Sequence, residues 1–354
     1  MTSDCNVTLD QQPAPSDDFT NQVYFSYAQR QVIAAVLALV STVGLFGNSL
    51  VIIAVVLSKR LHRTTNLFVL NLGLTDLLTC AFLPVQSVAV LSECVSPLLG
   101  TVCAFVGFLS VTCLSCSINN LLCIALNRFF LIIKDRSTYR RIYRLRNAVL
   151  MMLATWLIPI ATVAIPALTG YITLGFDPKD SSCSWVASKS SPNYSYVIFG
   201  TCIPLQFTLI IWSYTRVFSF IRRHTKSVAH LEKAAKPRPT TLHVSEVSSR
   251  DETKEEPLPR RCQPFKLQYE VTKNLFLVLV LFMICVTPFG VSLALAALDI
   301  SGTGRALPFT ATLLTINSCL NPIIYALKHP HFQIVFRCIL RGQFSKIPDR
   351  IKFP

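Results

Sequence analysis

Seven long stretches of almost uncharged, apolar residues are the feature that most restricts how this chain can fold. About 20 apolar residues suffice for an α-helix to cross the hydrocarbon core of a bilayer. Within the bilayer each backbone polar group must find its partner inside the segment, so such stretches form helices. The sequence therefore predicts an all-α membrane protein with a seven-transmembrane helix bundle. The segments, numbered one to seven, are residues 31–58, 66–91, 99–134, 147–171, 194–223, 267–298 and 306–327.

The distribution of charge predicts which face of this bundle is cytoplasmic. Lys and Arg number 33 against 18 Asp and Glu, although charged residues make up only 14% of the chain. The outer connections hold only Arg30, Lys179, Lys189 and Arg305. An excess of basic residues marks cytoplasmic loops, so we expect an extracellular N-terminus in the plasma membrane. Basic residues in the cytoplasmic loops account for the net charge of +15, so we expect no nucleic-acid partner.

The outer side carries two predicted modification sites. Residues 1–30 form an extracellular tail with no apolar run long enough for a signal-peptide core. The sequons at Asn6 and Asn193 both fall outside, where glycosylation takes place. A tail this short argues against a folded ligand-binding domain before segment one.

The 13 cysteines do not form a general disulfide framework. Most lie inside apolar segments or in basic stretches, where a free thiol is expected. Cys5, Cys94, Cys103 and Cys183 lie on the oxidising side. We expect Cys103 to pair with Cys183, and a bond between Cys5 and Cys94 stays open. Cys338, in a basic stretch near the C-terminus, is a predicted palmitoylation site, with a free thiol as the alternative.

Two cytoplasmic stretches differ in character from the apolar segments. Residues 225–264 are rich in proline and mixed charge, which predicts a disordered loop. Residues 329–354 form a cytoplasmic tail that begins with an amphipathic pattern. Phe332, Phe336 and Ile339 recur there at helical spacing, with polar residues opposite. This pattern is typical of a helix that lies on the membrane surface.

An acidic residue inside segment two is the strongest chemical signal. Asp76 lies about 15 Å along that segment, near the middle of the bilayer, where ionisable residues are functional by default. Four polar residues at comparable depth could surround it: Asn48, Ser117, Asn317 and Asn321. Neutral oxygens around a carboxylate suit Na⁺ or a proton, so we predict an allosteric sodium or proton site and no other cofactor. A hydrogen-bonded knot that fixes helix packing is the alternative.

Several motifs occur in order, each on its expected segment. They are Asn48, Asp76, Cys103, Asn127-Arg128-Phe129, Trp156, Cys183, Pro204, Pro288 and Asn321-Pro322-x-x-Tyr325. With them the chain resembles the rhodopsin-like G-protein-coupled receptors along nearly its whole length. It is most similar to the melatonin-receptor-like group, with the Moody-type and medium-chain fatty-acid-type orphans. The resemblance implies a heterotrimeric G protein, of Gi type in this group, with arrestin and a kinase as further partners.

The resemblance also assigns roles at the cytoplasmic side. There Arg128 is a switch residue that is restrained at rest and meets the G protein when segment six moves outward. The residues that carry this coupling are Asn127, Arg128, Tyr214, Asn321, Pro322 and Tyr325. Asn127 stands where the family usually has an acid, so we predict weaker restraint of Arg128 and ligand-free signalling. Tyr214 lies ten residues after Pro204 where eight is usual, which leaves its alignment open.

Further departures from the family pattern limit which residue roles the resemblance implies for this chain. Val286 stands where the family usually has a tryptophan, and Phe282 is the nearest aromatic residue. Glu270 is two residues closer to Pro288 than the family's lock acid, so we expect no such lock.

The outer half restricts the ligand. Segment seven has no lysine before Leu327, which excludes a retinal Schiff base. Ser110 stands where amine receptors carry an aspartate, so a simple amine is not expected. The predicted ligand is extracellular, small, and neutral or lipid-like, with a peptide as the alternative. Predicted pocket residues are Gln86, Ser110, Thr201, Phe289 and Thr310.

Two other classes of membrane protein predict features that this sequence lacks. A seven-span transporter predicts related halves with paired Gly or Pro interruptions, and neither is present in the sequence. An enzyme would need clustered His, Asp or Glu, whereas the six histidines all fall on the cytoplasmic side without metal-ligand spacing. We therefore expect a receptor and not an enzyme.

Overall fold

A computed structural model describes residues 26–62, 64–92, 97–177, 181–186, 202–235, 263–297 and 303–351. Within these ranges the chain is almost entirely helical, which confirms the predicted all-α class. Seven long helices correspond to the seven predicted segments. They are α1 (Tyr27–Leu57), α2 (Thr64–Leu91), α3 (Pro97–Ile133), α5 (Leu145–Leu168), α6 (Ile203–Ala235), α7 (Gln263–Ala297) and α8 (Leu307–Lys328).

Two shorter helices complete the helical part. The first, α4 (Arg136–Ile142), follows α3, and the second, α9 (Pro330–Leu340), follows α8 after a single residue. On α9 the side chains of Phe332, Val335 and Phe336 are buried. The other face of α9 is exposed, as expected for an amphipathic surface helix.

Six of the described helices are long and apolar enough to cross a membrane: α1, α2, α3, α5, α7 and α8. The remaining long helix, α6, is described only from Ile203 onward and carries Gln206 and Arg216. Residues 194–201 of predicted segment five lie outside the described residues.

The structure corrects the predicted start of the disordered loop. Helix α6 continues to Ala235, so residues 225–235 are helical. This stretch contains Ala229, Leu231 and Glu232, which are good helix formers, whereas the prolines that suggested disorder begin at Pro237. Residues 236–262 lie outside the described part of the chain.

A β-hairpin not anticipated from the sequence lies between α5 and α6. Strands β1 (Thr173–Asp177) and β2 (Ser182–Val186) pair antiparallel, with Phe176 opposite Cys183. The predicted Cys103–Cys183 disulfide is present and ties β2 to α3. Gly107 of α3 lies against this strand, and a Cβ there would come within 2.9 Å of the Ser184 oxygen. The hairpin therefore covers the end of the bundle that carries Cys103.

The largest apolar core occupies the half of the bundle nearest α9. It joins residues from all seven long helices and from α9, including Phe68, Ile124, Phe282 and Phe332. Smaller clusters lie toward the hairpin, one of them around Cys103 and Cys183. Lipid chains are as apolar as these side chains, so within a bilayer this core stabilises the bundle through close packing of the helices.

After α9 the chain turns back to the connection between α1 and α2. The backbone nitrogen of Lys59 donates to the Asp349 oxygen at 3.0 Å, and Ile351 donates to the Leu57 oxygen at 2.9 Å. Ile347 is buried beneath this contact. The tail thus adds a short backbone pairing to the predicted surface helix.

Candidate functional site

Asp76 lies at the centre of a buried polar cluster between α2 and α8. Its side chain is fully buried, and Asn321 Nδ2 donates to its Oδ2 at 2.7 Å. The Ser318 side chain also contacts this carboxyl group. This hydrogen bond joins α2 to α8.

Asn48 links α1 to the same cluster. Its amide nitrogen donates to the backbone oxygens of Ser318 at 2.8 Å and Gly44 at 3.0 Å. Within the described part of the chain, Asp76 Oδ1 and Asn48 Oδ1 are buried without a hydrogen-bond partner. Two buried acceptors of this kind are costly unless something else satisfies them.

Two other predicted members of the cluster are buried without direct contact to the acid. Ser117 is 5% exposed and Asn317 is 4% exposed. None of the described hydrogen bonds joins either side chain to Asp76. The structure thus brings Asp76, Asn321 and Asn48 together and leaves Ser117 and Asn317 as buried polar neighbours on α3 and α8.

A second polar network, centred on Asn71, was missed by the sequence reasoning. Asn71 Nδ2 donates to Asn120 Oδ1 at 2.7 Å and to Thr155 Oγ1 at 3.0 Å. Trp156 Nε1 donates to Asn71 Oδ1 at 2.8 Å. The network joins α2, α3 and α5. The sequence signal for this network was a second polar residue, Asn71, on the same apolar segment as Asp76.

At the α9 end of the bundle, Asn127 holds α3 against two neighbours. Thr65 Oγ1 donates to Asn127 Oδ1 at 2.6 Å, and Asn127 Nδ2 donates to the Tyr139 hydroxyl at 3.3 Å. Arg128 is 4% exposed, so its guanidinium is withdrawn from solvent. Asn127 therefore replaces a charge pair beside Arg128 by neutral contacts to α2 and α4.

Helix α4 positions Tyr139 for this contact. Asp135 caps its N-terminus by accepting from the Thr138 backbone at 2.8 Å and from the Ser137 hydroxyl. These hydrogen bonds lower the pKa of the Asp135 carboxyl well below its usual range. A charged carboxylate at a helix N-terminus is also favoured by the helix dipole.

The structure places the Tyr214 side chain inside the bundle. Its side chain is 3% exposed and lies within electrostatic range of Arg128, whereas Trp212 is 48% exposed on the outer surface of the bundle. The Tyr214 ring packs on Phe276 of α7 at 5.4 Å. The ten-residue spacing from Pro204 thus places a tyrosine, and not the tryptophan, toward the core.

Tyr325 follows Pro322 on α8 and contacts α9. Its ring stacks on Phe332 with 5.4 Å between centroids. The hydroxyl is buried and, among the described residues, has no hydrogen-bond partner. Tyr325 and Tyr214 lie within electrostatic range of each other. Tyr214 therefore lies near Arg128 on α6, and Tyr325 of α8 lies near Tyr214.

Helices α6 and α7 are separated by a groove that opens toward the membrane. It has a volume of about 990 Å³ and is lined by Tyr214, Phe218 and Phe276, with Pro288 of α7 further along. Deeper in the bundle, Phe282 packs on Phe207 at 6.2 Å. A proline inside a helix removes a backbone hydrogen bond, so α7 can bend at Pro288.

Gln86 has a structural contact that the sequence did not reveal. Its Nε2 donates to the Cys183 oxygen at 2.7 Å, and its Oε1 accepts from the Cys183 nitrogen at 2.9 Å. The amide nitrogen and the amide oxygen of Gln86 are thus both hydrogen-bonded to the hairpin backbone. Gln86 supports the β-hairpin beside the disulfide and does not present free polar atoms to a pocket.

The other predicted pocket residues are half-buried. Ser110 Oγ donates to the Val106 oxygen at 2.8 Å, and Thr310 Oγ1 donates to the Ala306 and Leu307 oxygens at 3.0 Å. Phe289 is half-buried on α7. These hydroxyls are satisfied by their own helices, so the surfaces they offer are mainly apolar. Thr201 lies outside the described residues.

Other predicted sites also fall outside the described residues: Asn6, Asn193, Cys5 and Cys94. Cys338 is half-buried, and its thiol contacts the Lys346 oxygen at 3.7 Å.

Arg30 was counted only as an outer basic residue, yet it is 6% exposed at the start of α1. Its Nε and Nη1 have no hydrogen-bond partner in the described part of the chain.

Comparison with known families decides what this arrangement is. The model of the seven-transmembrane receptor (rhodopsin) family matches residues 47–325, which include Asp76, Arg128 and the Asn321-to-Tyr325 motif. The chain belongs to this receptor family. The matched relatives are receptors and not enzymes, in agreement with the sequence.

The receptor is close to the melatonin-receptor-like group, as predicted. It is 27% identical to melatonin receptor type 1B-B of Danio rerio over 310 residues, 85% of this chain and 79% of that receptor. Melatonin receptor type 1A of Mus musculus is 28% identical over 316 residues, 87% of this chain and 80% of that one. The 5-hydroxytryptamine receptor 4 of Cavia porcellus is 25% identical over 339 residues, 89% and 81% of the two chains.

The receptor also has the fold of a solved member of the family. Squid rhodopsin superposes with a TM-score of 0.70 at 16% identity, over 94% of this chain and 90% of that one. This likeness confirms the seven-helix bundle, including α6. The receptor is thus a membrane protein, and its family implies a G protein and an extracellular ligand as partners.

Proposed function

We propose that the chain is a plasma-membrane receptor with an extracellular N-terminus that binds a small extracellular ligand and activates a heterotrimeric G protein. The observation that carries this proposal is the joint burial of Asp76 in the bundle and Arg128 at its α9 end. Burying two ionisable groups is costly, and in a membrane bundle such residues mark function. Asp76 is bonded to α8, and α8 also carries Tyr325.

The switch would act by exchanging contacts around Arg128. In the arrangement described here, the Tyr325 ring is held on Phe332 while its hydroxyl is unsatisfied. A buried hydroxyl without a partner costs about 1–3 kcal/mol. Movement of α7 at Pro288 would let Tyr325 and Tyr214 approach Arg128 and regain hydrogen bonds. A two-state element of this kind can be biased by ligand on one side and by the G protein on the other.

We propose that the Asp76 cluster is a sodium or proton site. Asp76 Oδ1 and Asn48 Oδ1 supply two buried acceptors without described partners, and the Ser318 side chain contacts the same carboxyl group. Oxygen donors around one carboxylate fit a small hard cation. Ser117, Asn317 and Asn321 would complete the polar surroundings. The cation would link α1, α2, α3 and α8 in the resting arrangement.

The ligand we propose is neutral or lipid-like. In the outer half, the Ser110 and Thr310 hydroxyls are satisfied by their own helices, and Gln86 is bonded to the hairpin. Asp177 of the hairpin is the only outer carboxylate in the described part of the chain. A simple amine would lack a buried counter-ion on α3. A peptide ligand remains the alternative, and a Gi-type partner, arrestin and a kinase are what the melatonin-like resemblance suggests.

Nucleotide exchange on Gα tests the proposal before any ligand is known. The receptor is expressed with chimeric Gα subunits that differ in their C-terminal tails, and ligand-free exchange is measured. We expect exchange above that of empty membranes, strongest with the Gi tail, and its loss in Arg128→Ala and Asp76→Ala at matched surface expression. Exchange that is insensitive to both substitutions would contradict the proposal.

The same assay can then separate the ligand classes. Neutral lipid-like compounds, amines and peptides are added as three panels to the receptor with its preferred Gα subunit. A response confined to the peptide panel would favour the alternative ligand class, and a response to simple amines would contradict the assignment from Ser110.

A further inference from the structure

A second groove opens where α1, α8 and α9 meet, and its lining includes Pro322 of the predicted coupling residues. Its volume is about 510 Å³. Gly47 of α1 lies so close to α8 that a Cβ there would come within 2.8 Å of the Pro322 ring. The α1 backbone at Gly47 and the Pro322 ring therefore form the floor of the groove. The apolar side chains that line it include Val43, Phe46, Leu50, Ile323, Ala326 and Leu340.

One end of the groove is polar and basic. Gln333, Arg337 and Arg341 recur every four residues along and just beyond α9, and all three line the groove. Both arginines are exposed, and neither guanidinium has an ion pair or hydrogen bond within the described part of the chain. Residues four apart lie on one face of a helix, so the two charges point to the same place.

The groove has the polarity of a lipid molecule, with a basic end and an apolar remainder. Helix α9 has the amphipathic pattern of a helix at the membrane surface, where its arginines would lie at headgroup depth. Along α1 the lining residues run from Val43 to Leu50, about 10 Å at helical rise. The hydrocarbon of one leaflet is about 15 Å thick, so the apolar part of the groove covers about two thirds of that depth. Phe46 and Leu340, at its rim, are 63% and 61% exposed.

We propose that this groove binds one anionic phospholipid from the leaflet on the α9 side. Its phosphate lies between Arg337 and Arg341, and one acyl chain runs along α1 and α8 past Ala326 to Val43. The charge of the headgroup complements the two unpaired guanidinium groups, and the chain covers apolar side chains. Because Pro322 forms the floor, an occupied groove supports α8 next to Asn321 and Asp76. The site depends on the membrane fold of the receptor and not on its proposed signalling.

Lipid binding to the purified full-length receptor tests this site. Dioleoylphosphatidylglycerol and dioleoylphosphatidylcholine have the same chains and differ in headgroup charge, and their retention is compared by native mass spectrometry. We expect preferential retention of phosphatidylglycerol. Arg337→Gln and Arg341→Gln should each weaken that binding about fivefold, the effect expected of one basic residue at an anionic surface.

Arg350→Gln is the matched charge control. Arg350 lies over the Phe344 ring at 5.8 Å and does not line the groove, so its loss should leave lipid binding unchanged. Ala326→Trp and Val43→Trp test the chain end without a change in charge, and both should reduce phosphatidylglycerol binding. Equal retention of the two lipids, an equal loss in Arg350→Gln, or full binding in the two tryptophan variants would overturn the proposal.

Discussion

Thr65 of α2 donates a hydrogen bond of 2.6 Å to Asn127 of α3, at the position next to the buried Arg128. Asn127 is fully buried, and its other amide atom reaches Tyr139 of α4. Neutral contacts thus hold the helix end where an acid would otherwise pair with the arginine.

Restoring an acid at this position should lower ligand-free signalling. In Asn127→Asp the carboxylate still accepts from Thr65 and adds an attraction to Arg128. An ion pair worth about 1 kcal/mol would reduce the active population about fivefold. Ligand-free nucleotide exchange on Gα measures the change at matched surface expression. Thr65→Val removes the hydrogen bond between Thr65 and Asn127 without adding charge, and it should not lower exchange. An equal decrease in both variants would contradict the charge-based account.

Removing the charge at Asp76 should abolish a response to sodium. At a Na⁺ concentration ten times the dissociation constant, Na⁺ binding stabilises the folded state by about 1.4 kcal/mol. We expect the melting temperature of the purified receptor to be higher in sodium chloride than in choline chloride, and equal in Asp76→Asn. Ser41→Ala, which loses a buried bond to the Cys80 oxygen outside the cluster, should keep the sodium effect. A melting temperature that follows pH and not sodium would identify the proton as the bound species.

Loss of Gln86 should loosen the β-hairpin. Gln86→Leu leaves the backbone groups of Cys183 without their side-chain partners, at a cost of about 1–3 kcal/mol. Hydrogen exchange of residues 173–186 should therefore become faster while the disulfide stays intact. Ser87→Ala is the neighbouring control, because its hydroxyl bonds only to helix carbonyls at 3.1 and 3.3 Å. Unchanged exchange in Gln86→Leu would contradict the supporting role of this amide.

The Tyr325 hydroxyl should matter for signalling and not for the stability of the resting receptor. In Tyr325→Phe the ring still stacks on Phe332, and the buried hydroxyl that is lost has no described partner. We expect an unchanged or higher melting temperature with reduced exchange on Gα. Tyr325→Leu also loses the stacking and should lower both quantities. A destabilised Tyr325→Phe variant would show that the hydroxyl already has a partner at rest.

Local sequence patterns were enough to predict the helices and the buried acid. An apolar stretch long enough to cross a bilayer has no alternative to a helix, and a carboxylate within it must find polar partners. Asn321 and Asn48 were named on this basis, and both lie in the Asp76 cluster. The Cys103–Cys183 bond also follows the prediction.

Contacts between residues far apart in the chain could not be predicted from local sequence patterns. The sequence predicted Gln86 as a pocket residue, whereas its amide is hydrogen-bonded to the Cys183 backbone. The spacing of Tyr214 from Pro204 was ambiguous, and only the structure shows that Tyr214 faces the core while Trp212 faces outward. The rotation of each helix about its axis is set by packing against neighbours from other parts of the chain. A spacing within one segment does not record that rotation.

The sequence by itself determined the class of protein, the number of membrane segments and the residue at the centre of the polar cluster, because hydrophobicity and charge act locally along the chain. Only the tertiary structure decided which polar atoms are paired, where the hairpin lies, and that α1, α8 and α9 enclose a basic-ended groove. These features depend on side chains up to hundreds of residues apart that meet only after the helices pack.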